Sequence, residues 1–396
     1  MMNQMFAKRT ATVHRSFIRE ILKVTSNPDM ISFAGGLPNP RCFPVNEVAA
    51  AAAKVMSTSG VEALQYSTTE GYPPLREYIA DRYQKRFGFK VDPENILITN
   101  GSQQGLDLLG KVFIDEGDRI LLERPAYLGA IQAFSIYEPS FRTIPLEEDG
   151  PDIAAFQKSI ADERIKLFYL VANFQNPSGI TCSKQKRIEL AKTITDSYTF
   201  LIEDDPYGEL RYAGEDIPSI RKFTDQQIIL LGTFSKIVSP GMRLGWVCAP
   251  REVIEKLITM KQGSDLHSNY ITQRILFQFL QDNSLDQHIE KIKAAYKTQG
   301  EAMVRALEEY CPTEVKFTRP EGGMFIWMTL PEKISSLTLF DLALKENVAF
   351  VPGNAFYVDG GGSNTLRLNY SNSDEIKIEE GIKRLVKTIK ELMVRE

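Results

Sequence analysis

From about residue 95 onward, short apolar runs alternate with longer stretches whose apolar residues recur every three or four positions. Ile96–Thr99, Arg119–Leu122, Phe141–Pro145, Lys166–Leu170, Phe200–Glu203, Ile228–Gly232 and Leu244–Cys248 read as strands. Ser102–Phe113 reads as a helix with Leu106, Leu109 and Phe113 on one face, and Ala126–Ser135, Gln157–Ala161, Lys184–Thr195 and Val253–Met260 read as further helices. Near-continuously apolar strands joined by amphipathic helices predict an α/β fold with a mainly parallel sheet covered on both faces. In such sheets ligands bind outside the carboxyl ends of the strands. The residues directly after each apolar run are therefore the ones to inspect for chemistry.

The chain ends have a different texture. Residues 1–45 hold a helical patch, Phe17–Val24, and then the irregular segment Phe33-Ala-Gly-Gly-Leu-Pro-Asn-Pro40. The run Ala49–Ala53 is a strong helix former near a helix start. A long charged helix is predicted near 286–310. Beyond it come strands at Val315–Thr318, Met324–Met328 and Leu366–Asn369, with helices at Leu339–Lys345 and Asp374–Met393, the pattern of a smaller α+β unit. No internal repeat or low-complexity tract interrupts the chain.

Length and composition narrow the class. At roughly 100–200 residues per domain, a chain of 396 residues suggests two or three domains. With 43% hydrophobic and 25% charged residues it reads as an ordinary globular protein. A formal charge of −4 leaves no broad basic face for nucleic acid. Cys42, Cys182, Cys248 and Cys311 are far apart, as are His14, His267 and His288, so neither a zinc site nor a disulfide framework is expected. No apolar run approaches the ~18–20 residues of a membrane span. The basic N-terminus (Lys8, Arg9, Arg15, Arg19 and Lys23 against Glu20) lacks the apolar stretch of a secretion signal. The expectation is a cytoplasmic protein with reduced thiols.

The most informative segment is Thr233-Phe-Ser-Lys-Ile-Val-Ser-Pro-Gly-Met-Arg243-Leu-Gly-Trp246, which follows a strand. Lys236 sits just beyond that strand's carboxyl end, and Ser235 and Arg243 add a hydroxyl and a guanidinium. Together they suit a dianionic phosphate beside a nucleophilic amine. A bare Ser-Lys pair before a Pro-Gly turn would more often be a solvated surface. Asn100-Gly-Ser-Gln-Gln-Gly105 follows another strand and opens a helix, where backbone N–H groups and the helix dipole favour an anion. Gly101, Ser102 and Gln103 thus read as a phosphate cup.

The full string around Lys236 resembles the lysine motif of class I aminotransferases, pyridoxal-phosphate enzymes of fold type I, and the resemblance extends over essentially the whole chain. It implies that Lys236 holds pyridoxal 5′-phosphate covalently and later shuttles the substrate proton, while Ser235 and Arg243 hold the phosphate. Phe174-Gln-Asn-Pro-Ser-Gly179 matches a segment whose asparagine donates to the cofactor's 3′ oxygen, which assigns Asn176. Leu201-Ile-Glu-Asp-Asp-Pro-Tyr207 offers three adjacent acids. Register against the family's Asp-x-Pro-Tyr pattern selects Asp204 to pair with the pyridine nitrogen, places Tyr207 beside Asn176, and leaves Glu203 and Asp205 structural. Tyr127 matches the tyrosine that stacks over the cofactor ring. Tyr66, in Leu64-Gln-Tyr66-Ser, matches one that reaches the phosphate of a neighbouring subunit, so a homodimer with shared active sites is implied. Arg367, on a C-terminal strand, matches the arginine that grips the substrate α-carboxylate, with Asn176 and Gly36 beside it.

The segments Ile31–Pro38, Glu70–Arg76, Lys261–His267, Gly322–Phe325 and Val348–Gly353 are most similar to the 2-aminoadipate and kynurenine aminotransferase branch. Arg19, in Ser16-Phe-Ile-Arg19, matches an arginine on a mobile helix that pairs with a distal substrate carboxylate. An amphipathic helix also carries solvated arginines there. Glutamate or aminoadipate as one partner and leucine-type or aromatic 2-oxo acids as the other are implied. A ligand-sensing module like the aminotransferase-like half of MocR-type regulators would carry a winged-helix domain ahead of Phe33, where about thirty residues stand here. A lyase or decarboxylase on the same fold is a further alternative. The implied division is a large domain over 46–284 and a small one built from 1–45 and 285–396.

Overall fold

The computed structural model describes residues 5–7, 9–12, 29–195 and 197–395. The expectations on Phe17–Val24, His14 and Arg19 lie outside the described residues. The central layer is an eight-stranded sheet in the order Ile96–Thr99, Gly245–Cys248, Ile228–Thr233, Phe200–Asp204, Ile165–Leu170, Arg119–Arg124, Ser140–Glu147, Gly150–Pro151. The first three of these are buried along their whole length. Helices cover both faces, so an alternating pattern would have placed polar groups in the core.

The four pairings among 119–124, 140–147, 165–170, 200–204 and 228–233 are parallel, as expected. Gly245–Cys248 departs from the expected direction: it runs antiparallel to both its neighbours. Its connection from Thr233 is a loop holding one short 3-10 turn, Pro240–Met242. Parallel strands need a longer crossover, commonly a helix. That loop carries Lys236.

Two helices are not announced by the pattern. Pro73–Phe87 begins on paired prolines and stops at Gly88, whose φ of 69° closes the last turn. Its buried apolar residues are Leu75, Ile79, Ala80 and Phe87, with Tyr78 and Tyr83 packed partly buried beside them, and charged residues fill most of the remaining positions. Tyr270–Asp282 is capped by the Asn269 side chain, which accepts from Thr272 N, and it packs on Val45–Ala63.

The C-terminal part forms a four-stranded antiparallel sheet in the order Lys316–Phe317, Phe325–Thr329, Thr365–Asn369, Val351–Pro352. Helices Leu285–Tyr310, Ser336–Lys345 and Glu375–Arg395 pack with it. The N-terminal segment joins this half: Ile31–Ser32 pairs in parallel with Val348–Ala349, and Asn369 N donates to Phe33 O at 2.8 Å. One hydrophobic core runs through both sheets. A second cluster of Ala34, Leu128, Trp327, Ala349, Val351 and Phe356 seals the junction between them. Among the described residues, no helix is long and apolar enough to cross a membrane, and no His/Cys/Asp/Glu group could hold a metal ion.

Candidate active site

Strand Ile228–Thr233 delivers the chain into the loop that carries Lys236. Ser235 N donates to Thr233 Oγ1 at 3.1 Å, and Val238 N donates to Phe234 O at 2.8 Å, which curls the loop and turns Lys236 inward. Lys236 Nζ donates to Gly36 O at 2.8 Å. Burial, aided by the nearby charges of Arg367 and Arg243, lowers this amine from its ordinary 10.5 to about 8. An amine that loses its proton near neutral pH can act as a nucleophile and as a base.

Arg367 comes from strand Thr365–Asn369 and is 2% exposed. Its Nη1 donates to Asn176 Oδ1 at 2.8 Å and its Nη2 to Ala34 O at 2.7 Å. Its guanidinium carbon lies 4.3 Å from the centre of the Phe325 ring and 5.2 Å from that of Phe356. Asn176 Nδ2 in turn donates to Tyr207 OH at 3.2 Å. Burial brings Arg367 down to about 10, which keeps it charged at neutral pH.

Asp204 ends strand Phe200–Asp204. Its Oδ2 accepts from the Tyr169 hydroxyl at 2.8 Å, while its Oδ1 is buried and has no hydrogen-bond partner among the described residues. Burial pushes this carboxyl up to about 7, against the pull of the Tyr169 hydrogen bond. Its two neighbours each accept from one side-chain donor and one backbone donor. Glu203 Oε2 accepts from Ser219 Oγ and Ile220 N, and Asp205 Oδ1 accepts from Asn173 Nδ2 and Gly208 N. The three consecutive acids thus separate by environment.

The turn before helix Ser102–Phe113 is built around Gly101, at φ 75°, and the helix start has no side-chain cap. Gly101's own N–H donates to Thr99 O at 2.9 Å, so this glycine contributes space to the cup rather than a donor. A Cβ on Gly101 would stand 2.7 Å from Arg243 Nη2. Arg243, itself at φ 52°, donates through Nη2 to Asn100 O at 3.1 Å. Gln103 Nε2 donates to Gly129 O at 2.9 Å, and a Cβ on Gly129 would stand 2.5 Å from the Tyr127 ring. The cup and Tyr127 are therefore linked through Gly129. Tyr66 is not drawn into this cluster within the chain. Its ring is 79% exposed and meets His267 edge-on at 5.9 Å.

Two sets of supporting residues escape the sequence reading. Lys261 Nζ, fully buried, pairs with Asp265 at 2.8 Å, and Asp265 Oδ2 accepts from Asn100 Nδ2 and Gln104 Nε2, each at 2.7 Å. This ion pair, buried on the lysine side and half-buried on the aspartate side, braces the turn before helix Ser102–Phe113. Its sequence signal is the i,i+4 spacing of Lys261 and Asp265. Glu123 Oε2 accepts from Val171 N and Gln175 Nε2, and the same Gln175 amide nitrogen donates to Pro125 O at 2.8 Å. This ties the chain before Tyr127 to the chain before Asn176. Burial raises Glu123 to about 8. No local pattern marks a lone glutamate at a strand end for that task.

The aminotransferase class I and II family model matches residues 29–385. The chain belongs to that family. It is 43% identical to the 2-aminoadipate transaminase of Thermus thermophilus over 99% of this chain and 98% of the relative. Among solved structures, the multiple substrate aminotransferase of Thermococcus profundus superposes with a TM-score of 0.95 at 42% identity, covering all of both chains. The α-aminoadipate aminotransferase LysN of Thermus thermophilus, solved with N-(5′-phosphopyridoxyl)-L-leucine, gives 0.94 at 42% identity, again covering all of both chains. The chain is thus an aminotransferase of fold type I, and it moves amino groups between amino acids and 2-oxo acids. The same cluster holds an amine lowered to about 8 and a buried guanidinium.

Proposed function

We propose that this aminotransferase works with pyridoxal phosphate held at Lys236 and passes amino groups between glutamate or 2-aminoadipate and leucine-type or aromatic 2-oxo acids. The observation that carries this reading is the buried, partnerless Asp204 Oδ1 in the same site as an amine lowered to about 8. A buried carboxylate oxygen with no donor is unusual, and the ring N–H of a pyridinium would supply the missing donor. The uncapped helix start with Arg243 and Ser235 suits the phosphate, and Tyr207 and Asn176 suit the ring oxygen. When bound, the ring draws off the electrons left as the substrate α-proton departs. Lys236 Nζ takes that proton and returns it, Arg367 holds the α-carboxylate, with Asn176 and Gly36 lining the substrate's place, and Tyr127 covers the ring.

The test is a panel of amino donors with 2-oxoglutarate as acceptor. Turnover of glutamate, aminoadipate, leucine and aromatic amino acids is the expected result, and failure of all of them would refute the substrate reading. Arg19→Ala is expected to raise KM for glutamate and aminoadipate about tenfold, the effect of losing one charge-assisted contact, and to leave the KM for leucine unchanged. Equal changes for all three donors would remove Arg19 from the site.

The division into 46–284 and 1–45 with 285–396 is supported by the separation of the two sheets along the chain. A homodimer is supported by the exposed apolar surface near Tyr66, which includes Val61, Leu64 and Leu266. Mixing inactive Tyr66→Ala and Lys236→Ala proteins is expected to restore part of the activity, because hybrid dimers regain one site with both residues intact. No recovery after subunit exchange would count against a shared site. The cytoplasmic location stays part of this reading, supported by four cysteines that all stand as free thiols.

A further inference from the structure

Tyr169 lies on strand Ile165–Leu170, opposite Ile202 of the strand that ends at Asp204. It is wholly buried, and its ring meets Phe134 edge-on at 6.2 Å, which limits how the phenol can move. The hydroxyl donates to Asp204 Oδ2 at 2.8 Å. The two oxygens of a carboxylate are equivalent until a neighbour distinguishes them. Here one is occupied and the other, Oδ1, is buried without a partner. Turning the carboxylate away would leave a buried phenol unpaired as well, and an unmade buried hydrogen bond is strongly unfavourable.

We propose that Tyr169 is a positioning residue, which by donating to Asp204 Oδ2 leaves Oδ1 as the acceptor offered to the ring N–H of pyridoxal phosphate. This rests on the reading that Asp204 pairs with that ring nitrogen. The phenol also opposes the burial that disfavours the charged carboxylate, an effect to which the adjacent Asp205 adds. Tyr127 and Glu123 are the other titratable groups near the Tyr169 hydroxyl. Without the phenol, Asp204 becomes the stronger base and draws the proton off the ring nitrogen. A ring with less positive charge lets the bound chromophore keep its own proton to higher pH.

The experiment compares the wild-type protein with Tyr169→Phe, which removes one oxygen from a packed ring. Apoprotein is titrated with pyridoxal phosphate, and the visible absorption of the bound form is followed against pH. Tyr169→Phe is expected to weaken the dissociation constant roughly tenfold, in line with losing an outer hydrogen bond to a charged ligand group. The pH midpoint of the visible band is expected to rise. Wild-type values for both would overturn the proposal. The same substitution in an Asp204→Ala protein, where the hydroxyl has no carboxylate to hold, is expected to leave the dissociation constant unchanged. An undiminished loss there would assign the phenol to packing alone and also overturn the proposal. A wild-type apoprotein that gains no visible band would instead refute the cofactor reading on which it rests.

Discussion

Lys236→Ala is expected to turn over no amino donor and to stay colourless when mixed with pyridoxal phosphate. In the proposed mechanism this side chain supplies both the attachment point and the proton carrier. Burial, with the charges of Arg367 and Arg243, brings its amine down to about 8. The sign of the pH effect follows. Below about 8 the amine is mostly protonated and cannot attack an aldehyde, and above it the neutral form dominates. Capture of pyridoxal phosphate by the wild-type apoprotein should therefore accelerate as pH rises through about 8, and stopped-flow absorbance reads this directly. A yellow, active Lys236→Ala protein would end the proposal.

Arg367→Ala is expected to reduce kcat/KM by about two to three orders of magnitude for every donor in the panel, the scale on which buried charge partners are lost. The contrast with Arg19 is the point of the measurement, since an α-carboxylate is common to all amino acids and a distal one is not. Arg367 is held by Asn176 Oδ1 and Ala34 O and lies against Phe325 and Phe356. That packing fixes the plane of the guanidinium, so Arg367→Lys, which keeps the charge and loses the fork, should recover little of the loss. Thermal unfolding of both variants separates this from collapse of the site. A folded Arg367→Lys protein with wild-type kcat/KM would remove Arg367 from carboxylate binding.

Much of this arrangement is legible in the chain. Strand Ile96–Thr99 and helix Ser102–Phe113 match their predicted limits, because a wholly buried strand and a strongly one-sided helix leave little ambiguity. Asp204 at the end of its strand, and Gly101, Asn176 and Lys236 beyond the ends of theirs, lie at the carboxyl edge of the sheet, where topology says to look. Helix Pro73–Phe87 is hidden because charged residues dominate its surface, and the direction of Gly245–Cys248 is hidden because strand direction lies in the connection rather than in the strand. Partners such as Tyr169, Glu123 and Gln175 are hidden for another reason. Each looks like a core residue or a lone polar group until the fold brings its contact across from 35, 48 or 50 positions away.

The short segment after Ile31–Ser32 has a consequence for the resting protein. Lys236 and Arg367 reach it from different sheets and rest on the carbonyls of Gly36 and Ala34, two residues apart. The segment works as a placeholder. It offers each cation a neutral oxygen, so that neither is left bare in a largely dry interior. On the proposed role of Arg367, an arriving carboxylate would trade one acceptor for a better one, and reactant entry would become a substitution among oxygens rather than the rescue of a stranded charge. Because Phe33 is stitched to Asn369, the placeholder travels with the strand that bears Arg367. Any shift of that sheet would move it relative to Lys236 while keeping its grip on Arg367.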